Sequence, residues 1–207
     1  MKTLPEKTVK RLSEYRRTML RCLEEGKTHI FSYELADLHN ITAVQVRRDI
    51  MFIGYSSRSR MGYDIRDLTQ VIGRIIDPGE VMNLAVVGYG NLGKAVSAYL
   101  LNRRPMLQLV AAFDIDPKKI GSVFSGIQCY PIERLREIIG SLDIKIAILS
   151  VPSAAAQETA RTLVASGIRG ILNFTTININ VPSDVALEEM DIITSIEKVA
   201  YYIKHPK

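Results

Sequence analysis

An apolar run, Leu84-Ala85-Val86-Val87, leads without interruption into Gly88-Tyr89-Gly90-Asn91-Leu92-Gly93 and then into the helix-forming stretch Lys94-Ala95-Val96-Ser97-Ala98-Tyr99. A strand that turns through G-x-G-x-x-G into a helix opens a dinucleotide-binding βαβ unit, and it constrains the fold more than any other feature of the chain. The first glycine permits the tight turn, the second lets backbone approach a pyrophosphate, and the third allows the helix to pack closely on the strand. Phosphates then rest against the helix N-terminus. The glycine pattern by itself is common, and its placement between strand and helix is what gives it force. Asp114 closes the next apolar run, at about the spacing where a carboxylate accepts the adenosine ribose hydroxyls. Two carboxylates there, Asp114 and Asp116, disfavour a 2′-phosphate, so NADH and NAD+ are expected in preference to NADPH, although Lys118 and Lys119 work against that preference.

The pattern around this motif fits a Rossmann-type α/β domain. Short apolar runs alternate with helical periodicity, as in a parallel sheet covered by helices. Strands are expected at 82–87, 108–113, 145–150 and 170–173, and helices at 91–103, 131–139 and 154–166. A last helix is expected from a Thr194/Glu197 capping box to about Ile203. Upstream, Asp77-Pro78-Gly79-Glu80 marks a turn between a helical pattern and the first strand. The expected organisation is therefore a DNA-binding domain at 1–80 and an NAD(H)-binding domain with a C-terminal helix at 81–207.

The N-terminal part reads as a winged helix-turn-helix. Leu12, Tyr15, Met19 and Cys22 or Leu23 recur at helical spacing, with Gly26 as a stop, and Ser32–Leu38 forms a second short helix. A Thr42/Gln45 capping box starts a third, in which Val46, Ile50 and Ile53 form the buried stripe and Val44, Gln45, Arg47 and Arg48 lie opposite or on its flanks. Basic side chains near the start of an exposed helix are what readout of a DNA groove needs. Gly54–Gly62, with Arg58 and Arg60, reads as a wing hairpin, and Ile65, Leu68, Ile72 and Ile75 mark a fourth helix. Between Thr42 and Gly62, Arg47, Arg48, Arg58 and Arg60 face only Asp49, so Gln45 and these four arginines are the candidate DNA-binding residues.

Several function classes are disfavoured. With 207 residues and 47% hydrophobic content the chain fills two cores without disulfide staples, and Cys22 and Cys129 form neither a disulfide framework nor a metal site. The charged N-terminal residues do not make a signal peptide, and no apolar run is long enough to cross a membrane, so a cytoplasmic protein is expected. A net charge of +5 is only a mild pointer to an anionic partner. A nicotinamide dehydrogenase needs a proton donor or acceptor at the reacting carbon. His29 and His39 fall in the DNA-binding half, His205 in the tail, and Lys145 at the start of a strand, so no catalytic residue and no enzyme activity are expected.

On Ser32-Tyr33-Glu34-Leu35-Ala36, Val46-Arg47-Arg48-Asp49, Met61-Gly62-Tyr63, the glycine loop, Phe113-Asp114-Ile115-Asp116-Pro117, Val151-Pro152 and Gly170-Ile171-Leu172-Asn173-Phe174, the chain resembles the Rex family of redox-sensing repressors over nearly its full length. The resemblance implies a homodimer that binds double-stranded operator DNA at an inverted repeat and releases it when NADH binds, with the C-terminal helix packed between the partner's domains. It adds Val151, Pro152, Asn173 and Phe174 to the nucleotide site, and Arg17, Tyr99 and Asp191 as a set that exchanges partners between the two states. Two departures stand out: Thr175-Thr176 follows Asn173-Phe174 where the family has Ala-Pro, and Ser57-Arg58-Ser59-Arg60 replaces a glycine-rich wing. The alternatives are an NAD-dependent oxidoreductase and a regulator that senses another nucleotide, such as coenzyme A.

Overall fold

Leu12, Tyr15, Met19 and Cys22 fall on one face of a helix, and that face is buried in α1 (Glu6–Glu24), which stops before Gly26 at φ +84°. The computed structural model describes residues 4–57, 60–100 and 105–205, and the chain divides into two compact units, Met1–Gly79 and Glu80–Lys207. In the first unit α1 is followed by β1 (His29–Ile30), α2 (Ser32–Leu38), α3 (Ala43–Phe52), β2 (Tyr63–Asp64) and α4 (Ile65–Ile76). Leu12, Tyr15, Met19, Ile30, Leu35, Val46, Ile50, Ile65, Leu68 and Ile72 form its core, with Ile53 and Ile76 packed at the margin.

The wing differs from the hairpin expected within Gly54–Gly62. Among the described residues of that stretch there is no strand, and Tyr63 and Asp64 instead pair antiparallel with Ile30 and His29, the residues that lead into α2. The loop is closed by the Ser57 hydroxyl donating to the Gly62 carbonyl at 2.5 Å. Gly62 is required here, because its φ is +96° and a Cβ would stand 2.7 Å from the Ile30 carbonyl oxygen. Hydrophobic periodicity carries no information on this pairing, since strands of two residues are too short to show a period.

The second unit runs β3 (Met82–Val87), α5 (Asn91–Leu100), β4 (Leu107–Asp114), β5 (Val123–Phe124), β6 (Ile127–Pro131), α6 (Leu135–Ser141), β7 (Ile144–Leu149), α7 (Ser153–Ala165), β8 (Gly170–Asn173), β9 (Ala186–Glu189) and α8 (Ile192–Lys204). The sheet order is β5-β6-β4-β3-β7-β8-β9, with every neighbouring pair parallel except β5 and β6. Without β5 this is the 3-2-1-4-5-6 order of a doubly wound dinucleotide-binding sheet, whose ligand crevice lies at the carboxyl ends of the strands where the order reverses. That point is the end of β3. Central strands such as Leu84–Val87 and Ala147–Leu149 are buried throughout, which is why they read as unbroken apolar runs.

Four elements differ from expectation. The helix expected at 131–139 starts later, because Pro131 ends β6 and 132–134 forms a 3-10 turn before α6. The β5–β6 hairpin turns through Ser125 and Gly126, both at positive φ (+53° and +82°), the geometry of a two-residue type I′ turn. β9 pairs at the sheet edge after a connection, 174–185, in which no helix forms, and its mixed pattern hid it. The last helix is capped by Asp191, whose carboxylate accepts from Thr194 N–H at 2.9 Å, so the expected Thr194/Glu197 box is not the start. A carboxylate placed three residues before Thr194 N–H satisfies the same orphan donor from one turn earlier.

Candidate functional site

The three loop glycines have different reasons to be there. Gly88 sits at φ +92°, and a Cβ on it would stand 2.5 Å from the Ser150 carbonyl oxygen. A Cβ on Gly93 would stand 2.3 Å from the Gly88 carbonyl oxygen and 3.0 Å from Val86 Cγ1. These two are glycine because the strand, the turn and α5 leave no room. A Cβ on Gly90 would meet nothing within 4 Å, and its φ lies outside the left-handed region. Nothing among the described residues requires a glycine at Gly90, so its backbone is left open to solvent at the start of α5, where in a dinucleotide-binding loop a pyrophosphate would lie. Around it, Asn91 and Leu92 are exposed.

Tyr89 is fully buried among Leu84, Val86, Ala112 and Cys129, so its side chain belongs to the core. Its part in the site is its backbone N–H, which donates to Asp114 Oδ2 at 2.8 Å. Asp114 also accepts from Asp116 N–H at 2.9 Å on Oδ1 and from the Lys119 ammonium at 2.9 Å on Oδ2. Burial works against its charge, but Lys119 and the two backbone donors outweigh that and hold the carboxyl below the usual carboxylate range. Glycine loop and acidic strand end are thus joined by a hydrogen bond.

On the other side of β3, Ser150 Oγ donates to the Gly88 carbonyl at 2.8 Å and fixes the turn. Val151 and Pro152 follow it into α7, half-buried and exposed respectively. Asn173 is fully buried at the end of β8, and its amide is saturated. Its nitrogen donates to the Ile177 carbonyl at 2.8 Å and to Glu189 at 2.5 Å, while its oxygen accepts from Thr175 N–H at 3.0 Å and Thr175 Oγ1 at 2.8 Å. As placed, Asn173 holds the loop after β8 and has no hydrogen-bonding capacity left for a ligand, whereas Phe174 is half-buried. Thr175 therefore supplies both donors to the Asn173 side-chain oxygen. Thr176 bonds Ser153 hydroxyl to hydroxyl at 2.7 Å, which ties the same loop to the first turn of α7.

In the first unit, Arg47 and Arg48 are exposed on α3, as is Val44. Arg47 donates to Ser32 Oγ at 3.1 Å. The Thr42/Gln45 box is half formed: Thr42 Oγ1 accepts from Gln45 N–H at 3.2 Å, but the Gln45 amide turns down the helix and donates to Asp49 Oδ1 at 3.0 Å. Asp49 also accepts from Arg11 Nε (2.6 Å), Arg11 Nη2 (2.7 Å) and Tyr15 (2.9 Å), so α3 is pinned to α1 through one buried carboxylate. Arg60 is exposed; Arg58 lies outside the described residues. Arg17 and Tyr99 are exposed on α1 and α5, and Asp191 is the cap of α8 described above.

Two family profiles match the chain: "CoA binding domain" over residues 80–177 and "Putative DNA-binding protein N-terminus" over residues 3–50. The redox-sensing transcriptional repressor Rex of Lactobacillus acidophilus is 35% identical over 99% of this chain and 97% of its own length. The chain belongs to the Rex family. Among solved structures, the Rex-family repressor RSP in complex with β-NAD+ and operator DNA aligns at 30% identity over 99% of this chain and 94% of that one, with a TM-score of 0.90. RSP in complex with β-NADH aligns at 29% identity over 99% and 96%, with a TM-score of 0.87. Curated Rex relatives are named as repressors rather than as enzymes. Among the described residues no group of three His, Cys, Asp or Glu is placed to hold a metal, and no helix is long and apolar enough to cross a membrane.

Sequence reasoning missed the α3 anchor formed by Arg11, Tyr15 and Asp49, and the Ser150 brace. Both join residues far apart in the chain, and neither carries a periodic signal. Asp49 was visible only as the single acid among arginines, which is the trace a buried counter-ion leaves.

Proposed function

We propose that this chain is a cytoplasmic transcriptional repressor that binds an inverted-repeat operator as a homodimer and leaves it when NADH occupies the glycine loop, so that its occupancy of DNA follows the NADH/NAD+ ratio. The observation that carries the nucleotide part is the glycine loop at the end of β3, where Gly88 and Gly93 are fixed by close packing and Gly90 leaves the backbone open to an incoming pyrophosphate. Gly88, Gly90, Gly93 and the backbone of Asn91 and Leu92 form the pyrophosphate cradle, the Tyr89 N–H holds Asp114 towards the adenosine ribose, and Val151, Pro152 and Phe174 line the nicotinamide end, with Asn173 holding the loop there. Arg47 and Arg48 read bases in the major groove, Arg60 and Arg58 contact the flanks, and Gln45 acts from the α3 N-terminus. A ratio sensor requires that NADH and NAD+ differ in their affinity for the DNA-bound and released states; a ligand that binds both states equally shifts nothing.

The test is selection of bound duplexes from a random pool, followed by titration of NADH, NAD+, NADPH and coenzyme A against the selected duplex. NADH should release DNA at the lowest concentration. Release by coenzyme A alone, or by none of the four, would overturn the assignment.

Homodimerisation has its support in α8. Ile192, Ile196, Val199 and Ile203 form one stripe along it, and each is at least 54% exposed. A stripe of that kind is covered by a partner in a stable protein. Replacing Ile196 and Val199 together by Glu is expected to convert the dimer to a monomer in light scattering; a dimer of unchanged mass would place the interface elsewhere.

Asp191 is the cap of that helix as well as a member of the switch set, so alanine there would confound two effects. Asn caps a helix about as well as Asp but carries no charge. Asp191→Asn should keep the dimer and the operator affinity while changing the factor by which NADH weakens DNA binding by about fivefold or more, within the ordinary range of a coupling energy. An unchanged factor removes Asp191 from the switch.

A further inference from the structure

The ribose corner of the nucleotide site contains a charge that the function above does not use. Lys119 Nζ lies 2.9 Å from Asp114 Oδ2 and 3.9 Å from Asp116 Oδ2, so one ammonium bridges both carboxylates that were expected to exclude a 2′-phosphate. Its position is built by the backbone. Lys119 N–H donates to the Asp116 carbonyl at 2.9 Å, the Lys119 carbonyl accepts from Ser122 Oγ at 2.5 Å, and the Gly121 N–H that follows is fixed on the Cys129 carbonyl of β6 at 2.8 Å. The side chain is 29% exposed, so its head is held by the two acids and still open to an arriving group.

An ionised carboxylate such as that of Asp114 offers about four lone-pair positions. Tyr89 N–H, Asp116 N–H and Lys119 occupy three of them. A neutral ribose brings hydroxyl donors, and it must use the remaining position or displace the ammonium. A 2′-phosphate brings only acceptors and negative charge. Asp114 repels it and cannot bond to it, but Lys119 can do both favourable things at once, donating hydrogen bonds and compensating charge.

We propose that Lys119 is the residue that sets discrimination between a free and a 2′-phosphorylated adenosine ribose in this site, and that it admits NADPH to a degree that Asp114 and Asp116 alone would forbid. This rests on the dinucleotide reading of the glycine loop. Asp114 still favours NADH; Lys119 narrows the margin. In a site without the ammonium, Asp114 gains a free lone pair for the ribose and the phosphate loses the cation held on Asp114.

The experiment measures Kd by calorimetry for NADH and NADPH, with 5′-ADP and 2′,5′-ADP as fragments, on the full-length parent, Lys119→Met and Lys119→Arg. Lys119→Met should leave NADH binding unchanged or tighter and raise the ratio Kd(NADPH)/Kd(NADH) at least tenfold, with the same change between the two fragments. Lys119→Arg keeps the charge and should hold the ratio within about threefold of the parent. A merely structural lysine would instead weaken both nucleotides by the same factor. That outcome, or a ratio unchanged in Lys119→Met while the parent binds NADH, overturns the role of Lys119 and leaves the dinucleotide reading intact. A parent that binds neither nucleotide overturns both.

Discussion

Gly90→Ala should fold and melt like the parent and lose NADH binding by about a hundredfold or more, whereas Gly93→Ala should lose stability first. The contrast follows from where each new methyl would go. At Gly90 it meets no protein atom within 4 Å, and the backbone is not left-handed, so the substitution creates no clash and no strain in the folded chain. Restricting the unfolded chain can even add a few tenths of a kcal/mol of stability. The same methyl, however, occupies the space through which a pyrophosphate must approach the N–H groups of the loop, and a hundredfold loss corresponds to about 2.7 kcal/mol. At Gly93 the methyl would stand 2.3 Å from a backbone oxygen, Gly88 O, which cannot swing aside as a side chain does. Separating α5 from β3 to relieve that clash costs about 1–3 kcal/mol or more. Thermal melting and NADH titration of the two variants side by side decide the matter. If Gly90→Ala binds NADH like the parent, the loop is not a pyrophosphate cradle.

Much of this is legible in the amino-acid sequence itself. Strands that lie in the middle of a parallel sheet announce themselves as apolar runs, and β3, β4, β7 and β8 were all found at their places to within a residue or two. The four helices of the first unit were equally plain, since each places a hydrophobic stripe on one core. What stayed hidden is physically of one kind. β9, β5 and the β1–β2 pair are short or at an edge, so neither face is deep enough to impose a pattern, and β6 alternates a buried face only through Ile127 and Cys129, too few positions to show a period. At the site, the glycine loop and Asp114 could be read because their chemistry is local. The commitment of Asn173 to Thr175 and Glu189 could not, because the sixteen-residue separation from Glu189 is closed only by the pairing of β8 with β9. The Lys119 side chain was noticed as a charge, but which carboxylate it would choose depended on the turn that carries it.

Removing the carboxylate of Asp49 is expected to have the largest effect in the N-terminal unit, and to reach DNA through stability and helix position together. Four donors converge on this side chain, two from Arg11, one from Tyr15 and one from Gln45, and it is 4% exposed. Breaking a buried ion pair from one side costs about 3–5 kcal/mol, because the other charge is left without compensation. Here the lower end applies, since the Arg11 side chain is 22% exposed and can recover water. For a domain of this size about 3 kcal/mol lowers the melting temperature by roughly 10–20 °C. Asp49→Asn keeps the shape and one acceptor but loses the charge, and should fall between Asp49→Ala and the parent. The pH dependence has a definite sign. Burial tends to raise the Asp49 carboxyl, but the bonds from Arg11, Tyr15 and Gln45 outweigh it and hold it below its ordinary range. Its contribution is therefore complete above about pH 4, the unfolded carboxylate range, and is lost as pH falls from there through the depressed folded value. Near pH 7 the parent should show no change in stability from this group, and in Asp49→Asn the acid limb below about pH 4 should flatten. Operator affinity should drop about tenfold or more in Asp49→Ala even well below its melting temperature, because α3 is then free to shift on α1 and the proposed base-reading residues Arg47 and Arg48 are no longer presented from a fixed helix. Melting curves across pH together with DNA titration at low temperature check both halves. An Asp49→Ala variant that melts with the parent and binds the selected operator as tightly would mean that apolar packing of Val46 and Ile50 alone sets the recognition helix.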